Sequence, residues 1–235
     1  MIGRSDAARE PPRLAELARR TEARLLLGFL AITAAIAGFA ALASEVHEGD
    51  IFAIDRMLLL GLRLPGNLST PIGPPWVEES ARDVTALGGF TVLALVSIFA
   101  TAMLILQGRR LQAVVFAIAV VFAQVASEGL KHLIARPRPL LVPHLDLVAS
   151  ASFPSGHAMM SPVVYLTLTV VLAAGAERRS VRVLLVGSAV LLVAAIGVTR
   201  VYLGVHWPTD VVAGWVLGSA IALAACYALL RAEAG

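Results

Sequence analysis

Six stretches of this chain, residues 25–43, 84–106, 111–127, 158–176, 183–199 and 211–230, are apolar and almost free of charge. Each is close to the ~20 residues that an α-helix needs to cross the hydrocarbon core of a bilayer. Only helices and closed barrels satisfy their own backbone in lipid, and these runs are well beyond the roughly 9–11 residues of a barrel strand. The expected fold is therefore all-α, a polytopic membrane protein with six transmembrane helices. A hydrophobic fraction of 58% over 235 residues agrees, since soluble domains hold roughly 45–50%. The single cysteine, Cys226, lies inside an apolar run. It excludes an intramolecular disulfide framework and any cysteine-based zinc site.

Charge is confined to the segments between the runs. Residues 1–24 form a polar tail with Arg4, Arg9, Arg13, Arg19, Arg20 and Arg24, with a surface helix expected from Pro12 onward, and residues 25–235 form one membrane domain. Arg19 and Arg20 before the first run and Ala41 to Ala43 at its end have features of a secretory signal, but the run exceeds the usual ~7–15-residue apolar region and reads as a retained span. With the N-terminus inside, the inner segments hold the six tail arginines, Arg109, Arg110, Arg178, Arg179, Arg182 and Arg231. The outer segments hold Arg56, Arg63, Arg82, Lys131, Arg136, Arg138 and Arg200. Twelve cations against seven put both termini in the cytoplasm. The net charge of +3 thus reports topology and not a nucleic-acid footprint, so no nucleic-acid partner is expected. The arginine-rich, lysine-poor and alanine-rich composition fits a bacterial plasma membrane.

Residues 44–83 make the longest outer loop. Ile51, Phe52, Ile54, Leu58 and Leu62 recur at helical spacing while Asp50, Asp55, Arg56 and Arg63 mark another side, which predicts a helix on the membrane surface. The Pro- and Gly-rich piece from Pro65 to Trp76 reads as a rigid connector capping the outer face.

Three polar islands sit at the outer rims of the runs. The first holds Lys131, the only lysine, with Glu128 three residues before it, and then Arg136, Pro137, Arg138 and Pro139. The prolines force extended backbone, so the helix ends within this island and its cations can turn toward one point, with Arg136 left to face lipid headgroups. Guanidinium forks match phosphate oxygens in pairs, and lysine adds a point charge. The second island is Pro154, Ser155, Gly156 and His157. It precedes an apolar run, so Ser155 is expected to cap a helix whose free N–H groups form an anion site. The third holds Thr199, Arg200, His206, Pro208 and Asp210, with Pro208 suited to a first helical position. Asp210 lies four residues after His206, within reach of one ring nitrogen. A ring held this way has a fixed tautomer and a free second nitrogen, which favours His206 for attack on phosphorus. His157, with no carboxylate nearby in its motif, suits proton donation to the leaving oxygen. His47, His132 and His144 read as loop residues, and Tyr202 and Trp207 as members of an aromatic belt.

Taken together, Lys131-x6-Arg138-Pro139, Pro154 to His157, and Thr199-Arg200-x5-His206-x3-Asp210 resemble the three-part signature of the type 2 phosphatidic acid phosphatase superfamily, in its integral-membrane lipid phosphatase branch. The six-span layout resembles that branch from about residue 84 to the end. The resemblance implies that His206 is a nucleophile forming a phosphohistidine, that Asp210 orients it, and that His157 is the general acid. It further implies that Lys131, Arg138, Ser155, Gly156 and Arg200 bind the phosphate, and that neither a metal nor another cofactor takes part. Thr199 departs from the serine usual there and keeps a hydroxyl. The substrate would be a lipid phosphate in the bilayer: phosphatidic acid, phosphatidylglycerophosphate or undecaprenyl diphosphate. A phosphotransferase of the same superfamily would share these motifs. An anion transporter would instead carry charge or broken helices at mid-membrane, where the six runs are uncharged. Gly214-x3-Gly218 in the last run permits close helix contact without setting an oligomeric state.

The arginine bias predicts that residues 107–110 face the cytoplasm and 131–157 face outward. In a Cys226→Ala background, a cysteine at Leu145 should react with an impermeant thiol reagent in intact cells and one at Gln107 should not. Labelling at Gln107 alone would invert the topology.

Overall fold

The computed structural model describes residues 12–48 and 53–232. The first eleven residues, and Asp50, Ile51 and Phe52 of the expected surface helix, lie outside the described residues.

Apolar helices dominate. Helix α1 (Pro12–His47) is continuous from the expected tail through the first span, so no separate surface helix begins at Pro12. After it come α2 (Ala53–Gly61), a two-stranded antiparallel hairpin of β1 (Arg63–Leu64) and β2 (Asn67–Pro71), and α3 (Pro75–Ala86). Helix α4 (Phe90–Leu106) leads to α5 (Arg110–Ile134). The fourth span comprises α6 (Gly156–Ser161), a π-helical turn over Pro162–Leu166, and α7 (Thr167–Ala174). The last spans are α8 (Arg179–Tyr202) and α9 (Pro208–Ala232). Five of the described helical segments are long and apolar enough to cross a membrane, and α3 with α4 makes a sixth that is bent by 42°.

Two expectations change here. The run at 84–106 is not one straight helix, because the chain breaks at Leu87–Gly89, where His157 of α6 packs against Gly88 and Gly89. The connector at 65–76 is partly the β-hairpin, which leaves the fold all-α in its spans but not in its outer loop. The π-helical turn has a local cause: Pro162 lacks the N–H that would bond the carbonyl of Ala158, and the helix relaxes by opening one register.

The centre of the bundle is α9, against which α1, α5 and α6 pack. Leu93, Phe116, Ala123, Met159, Val163, Val164 and Ala225 join α4, α5, the fourth span and α9 in the main core. A second cluster of Leu59, Val142, Trp207 and Val211 seats α2 over the start of α9. Burial of Leu59 alone is worth about 1.5–3 kcal/mol. Helix α2 therefore docks through Asp55 and Leu59, while Ile54, Met57 and Leu58 remain outside. Large side chains such as Phe29, Phe99, Phe122 and Leu191 stay exposed around the bundle, as lipid-facing residues must.

Helices α6 and α9 approach closely through two glycines. A Cβ on Gly218 would lie 2.1 Å from the carbonyl oxygen of Met159, and one on Gly214 would lie 2.8 Å from that of Ser155. The glycine pair thus serves contact within the chain. Gly218→Ala should lower stability by about 1–3 kcal/mol through overpacking. Gly187→Ala, at a helical glycine with nothing within 4 Å, should raise it by roughly 0.5–1 kcal/mol. Thermal unfolding of both variants in detergent checks the contrast, and equal shifts would mean the α6–α9 contact is looser than described.

Candidate active site

Helix α5 ends where the sequence requires it. Arg136 precedes Pro137, which disfavours helical backbone, and Ala135 takes the left-handed conformation (φ 49°) with its N–H bonded to the Lys131 carbonyl at 3.0 Å. Lys131 lies in the last turn, its Nζ 3.0 Å from Glu128 Oε1 as the i, i+3 spacing indicates. That ammonium lies over the start of α6: a Cβ on Gly156 would be 3.3 Å from Nζ, so glycine keeps the approach open.

Beyond Ala135 the chain folds back on itself. Ser152 N–H donates to the Arg136 carbonyl at 2.9 Å, and Leu145 N–H to that of Leu203 at 2.9 Å. Ser155 N–H donates to the Asp210 carbonyl at 3.0 Å, which sets the start of α6 against the start of α9. Ser155 occupies the N-cap position, but its hydroxyl makes no cap bond, contrary to expectation. The residue is fixed by its own N–H, and the hydroxyl is left buried without a partner.

Between α8 and α9 the chain turns at Gly204 (φ 76°), which returns His206 to the interior, 2% exposed. Its Nδ1 is 3.4 Å from Asp210 Oδ2, and its Nε2 is 3.2 Å from an Arg138 guanidinium nitrogen. A guanidinium only donates, so Nε2 accepts there and the ring proton belongs on Nδ1, toward the carboxylate. Arg138 also donates to the carbonyls of Ser150 (2.8 Å) and Val205 (2.6 Å). Asp210 is fully buried and accepts from Trp207 N–H (2.9 Å), Ser152 Oγ and Arg136 (2.6 Å). Arg200, 2% exposed, donates to Thr85 Oγ1 (2.9 Å) and Asp146 Oδ2 (2.6 Å), and its Nε has no partner. The Thr199 hydroxyl bonds back to the Ile196 carbonyl at 2.7 Å. His157 is half-buried, and its ring makes no hydrogen bond among the described residues.

A cleft of about 320 Å³ opens between α4 and α5. Phe90, Leu93, Val120 and Val125 line its apolar part, and Lys131, Gly156 and His157 line its polar end. Burial lowers Arg138 to about 10, with the charge of Arg200 adding to the effect. Burial pushes Asp146 up, but the hydrogen bond and charge of Arg200 outweigh it and hold the carboxyl below its ordinary value.

The eight predicted residues thus lie in one region, and several others join them. Arg136 does not face headgroups: it is 5% exposed and pairs with Asp55 and Asp210, because Ser152 bonds its carbonyl and pulls the residue inward. Tyr202 and Trp207 are not an aromatic belt. Both are buried, with Tyr202 Oη bonded to the Ile72 carbonyl and Trp207 Nε1 to that of Pro137. His132 belongs to the last turn of α5 and is not in a loop, and His144 bonds the Pro139 carbonyl at 2.7 Å. Asp146, Ser152 and Thr209 went unread, and Asp55, expected on the polar side of a surface helix, is instead fully buried against Arg136 and Thr209. Only Arg136 carried a signal, being followed by Pro137 as Arg138 is followed by Pro139.

Fold and site define a polytopic helical membrane protein with a buried histidine–carboxylate pair ringed by cations, an arrangement suited to phosphoryl groups. A family model described as the PAP2 superfamily matches residues 111–233, and the chain belongs to that superfamily. The chain is 27% identical over 184 residues to phosphatidylglycerophosphatase B of Bacillus subtilis (strain 168), covering 77% of this chain and 85% of that protein. It is 35% identical over 125 residues to an undecaprenyl-diphosphatase of Sulfolobus acidocaldarius, covering 50% of this chain and 55% of that one. The crystal structure of a transmembrane PAP2-type phosphatidylglycerolphosphate phosphatase from Bacillus subtilis superposes with a TM-score of 0.74 at 24% identity, covering 86% of this chain and 96% of that one. LpxE of Aquifex aeolicus gives 0.56 at 25% identity, over 74% and 95%.

Burial pushes the His206 imidazole down to about 4, against the raising effect of Asp210 and with Arg138 and Arg200 lowering it further. The unfolded ring, near its ordinary value of about 6.5, takes a proton first as pH falls. Stability from this group is therefore complete above about pH 6.5 and is lost as pH drops toward about 4, reaching roughly 2 kcal/mol of loss at pH 5. Unfolding in detergent at pH 7 and pH 5 should show a smaller loss for His206→Gln than for the parent. Equal losses would mean that the buried ring is not held neutral.

Proposed function

We propose that this protein removes a terminal phosphate from a membrane lipid by attack of His206 on phosphorus. The observation that carries the reading is the cleft whose apolar wall leads to Lys131, Gly156 and His157. A lipid tail lies along Phe90, Leu93 and Val125, and its phosphoryl group meets the cations. Lys131, Arg138 and Arg200 neutralise the non-bridging oxygens. The free Ser155 hydroxyl and the first N–H groups of α6 add uncharged donors.

Substrate takes over the Arg138 donor that otherwise bonds Nε2, and the freed lone pair attacks phosphorus in line with the lipid oxygen. The N–P bond forms as the P–O bond breaks, and His157 delivers a proton to the departing oxygen. Asp210 balances the positive ring through the Nδ1 proton. His157, now neutral, takes a proton from water, which attacks the phosphohistidine and releases inorganic phosphate. No step uses a metal. The relatives' names span a phosphomonoesterase and a diphosphatase, and the same phosphoryl chemistry serves phosphatidic acid, phosphatidylglycerophosphate or undecaprenyl diphosphate. The arginine distribution supports a plasma-membrane setting with both termini cytoplasmic and this site outside, on one membrane domain of residues 25–235.

Phosphate release from a panel of lipid phosphates in detergent should persist in excess chelator, and an absolute need for added Mg²⁺ would sink the reading. His206→Ala should form no acid-labile phosphoenzyme. With a nitrophenyl ester, whose leaving group needs little protonation, His157→Ala should form phosphoenzyme and discharge it about 10²–10⁴-fold more slowly. Phosphorylation of His206→Ala at histidine, with none in His157→Ala, would reverse the two roles.

A further inference from the structure

Behind His206 lies a carboxylate that belongs to none of the three motifs. Asp55 of α2 is fully buried. Its Oδ1 accepts the Thr209 N–H at 2.9 Å, and its Oδ2 accepts the Thr209 hydroxyl at 2.7 Å and an Arg136 nitrogen at 2.9 Å. The other terminal nitrogen of that guanidinium donates to Asp210 Oδ1 at 2.6 Å. Arg136 therefore sits between two buried carboxylates, with its guanidinium 5.5 Å above the Trp207 ring. Docking of a nine-residue helix does not call for such a group. Apolar packing around Leu59 would hold α2 without the desolvation cost of ions.

Two effects follow from the geometry. Thr209 is the second residue of α9, so its N–H is among those with no intrahelical partner, and Asp55 caps the helix from a distant segment. The turn from which Asp210 projects is thereby clamped. The second effect is one of charge. Arg136 bonded to Asp210 alone would neutralise it, whereas Asp55, Arg136 and Asp210 together carry one net negative charge beside the His206 ring.

We propose that Asp55 is a positioning residue for the nucleophile: it balances Arg136 and clamps Thr209, so that Asp210 stays anionic toward His206 and supports the positive ring of the phosphohistidine. This rests on the reading of His206 as nucleophile.

Single-turnover formation of phosphoenzyme, together with steady-state KM for a lipid phosphate, tests it. Asp55→Asn keeps size and removes charge, and should slow phosphoenzyme formation about 10- to 100-fold while KM changes less than about threefold. Adding Arg136→Gln returns the cluster to one net negative charge and should restore at least about tenfold of the loss, whereas purely structural losses would add. A double variant no faster than Asp55→Asn overturns the proposal. Should Asp55→Asn fail to accumulate folded, the double variant is compared with Arg136→Gln alone. It should be at least as active, and a tenfold deficit overturns the proposal. His206→Ala is run alongside. If it still forms phosphohistidine, the nucleophile reading falls and this inference with it. If it forms none while Asp55→Asn reacts at the parental rate, only the role of Asp55 is overturned.

Discussion

The buried carboxylate of Asp210 is the constraint on which the outer half of this protein depends. An ion removed from water costs several kcal/mol unless its lone pairs are met by donors. Here the donors come from separate parts of the chain: Trp207 N–H from the turn before α9, Ser152 and Arg136 from the segment after α5, and His206 at 3.4 Å. None of these segments can take its place without the others. The loop after α5 has little regular structure of its own, and its fold is set largely by what it must deliver to this carboxylate and by the Ser155 N–H that bonds the Asp210 carbonyl.

The cations near His206 are held in a graded way. Arg200 faces Asp146 and Lys131 faces Glu128, and both carboxylates are partly exposed, at 33% and 45% of the side chain. Solvent at these positions screens the pairs and makes them weak, which the proposed function needs if a phosphate dianion is to compete for the cations. Arg138 forms no ion pair with a carboxylate among the described residues. It is held by backbone carbonyls of Ser150 and Val205, which orient the guanidinium without neutralising it. Arg136 is the opposite case, enclosed by two buried carboxylates and unavailable to substrate. Two arginines flanking the same proline are thus held differently: Arg138 by backbone carbonyls, as the proposed phosphate site requires, and Arg136 by carboxylates of the scaffold.

Much of the fold was legible because the bilayer simplifies the problem. Apolar runs of spanning length, proline at the end of α5 and at the start of α9, and the spacing of His206 to Asp210 each report a local constraint. The bend at Leu87–Gly89 was not legible, since it answers to packing against His157 from a helix some seventy residues on. Arg136 and Trp207 were misread for a related reason. A cation or an indole near the rim of a span is indistinguishable in sequence from a headgroup anchor, and only the return of the loop through Ser152 turns Arg136 inward. Asp55 lies 154 positions from Thr209 and in a segment whose amphipathic pattern spoke of a membrane surface. Polar contacts at that separation leave no periodicity behind.

The glycines of α9 connect these levels. Gly214 and Gly218 let the α6 backbone come within van der Waals contact of α9, at the carbonyls of Ser155 and Met159. Because α6 starts at Gly156 and α9 starts at Pro208, this contact sets the two helix starts side by side. His157 and His206 each stand within two residues of one of those starts. Their relative placement is therefore decided by a backbone packing distance about two to three turns along α9 from its start, where no charge is present. A side chain at Gly218 would have to push α6 from α9, and the separation of the two rings would change with it. In this chain the geometry of a polar site at the membrane rim is set by apolar close packing beneath it.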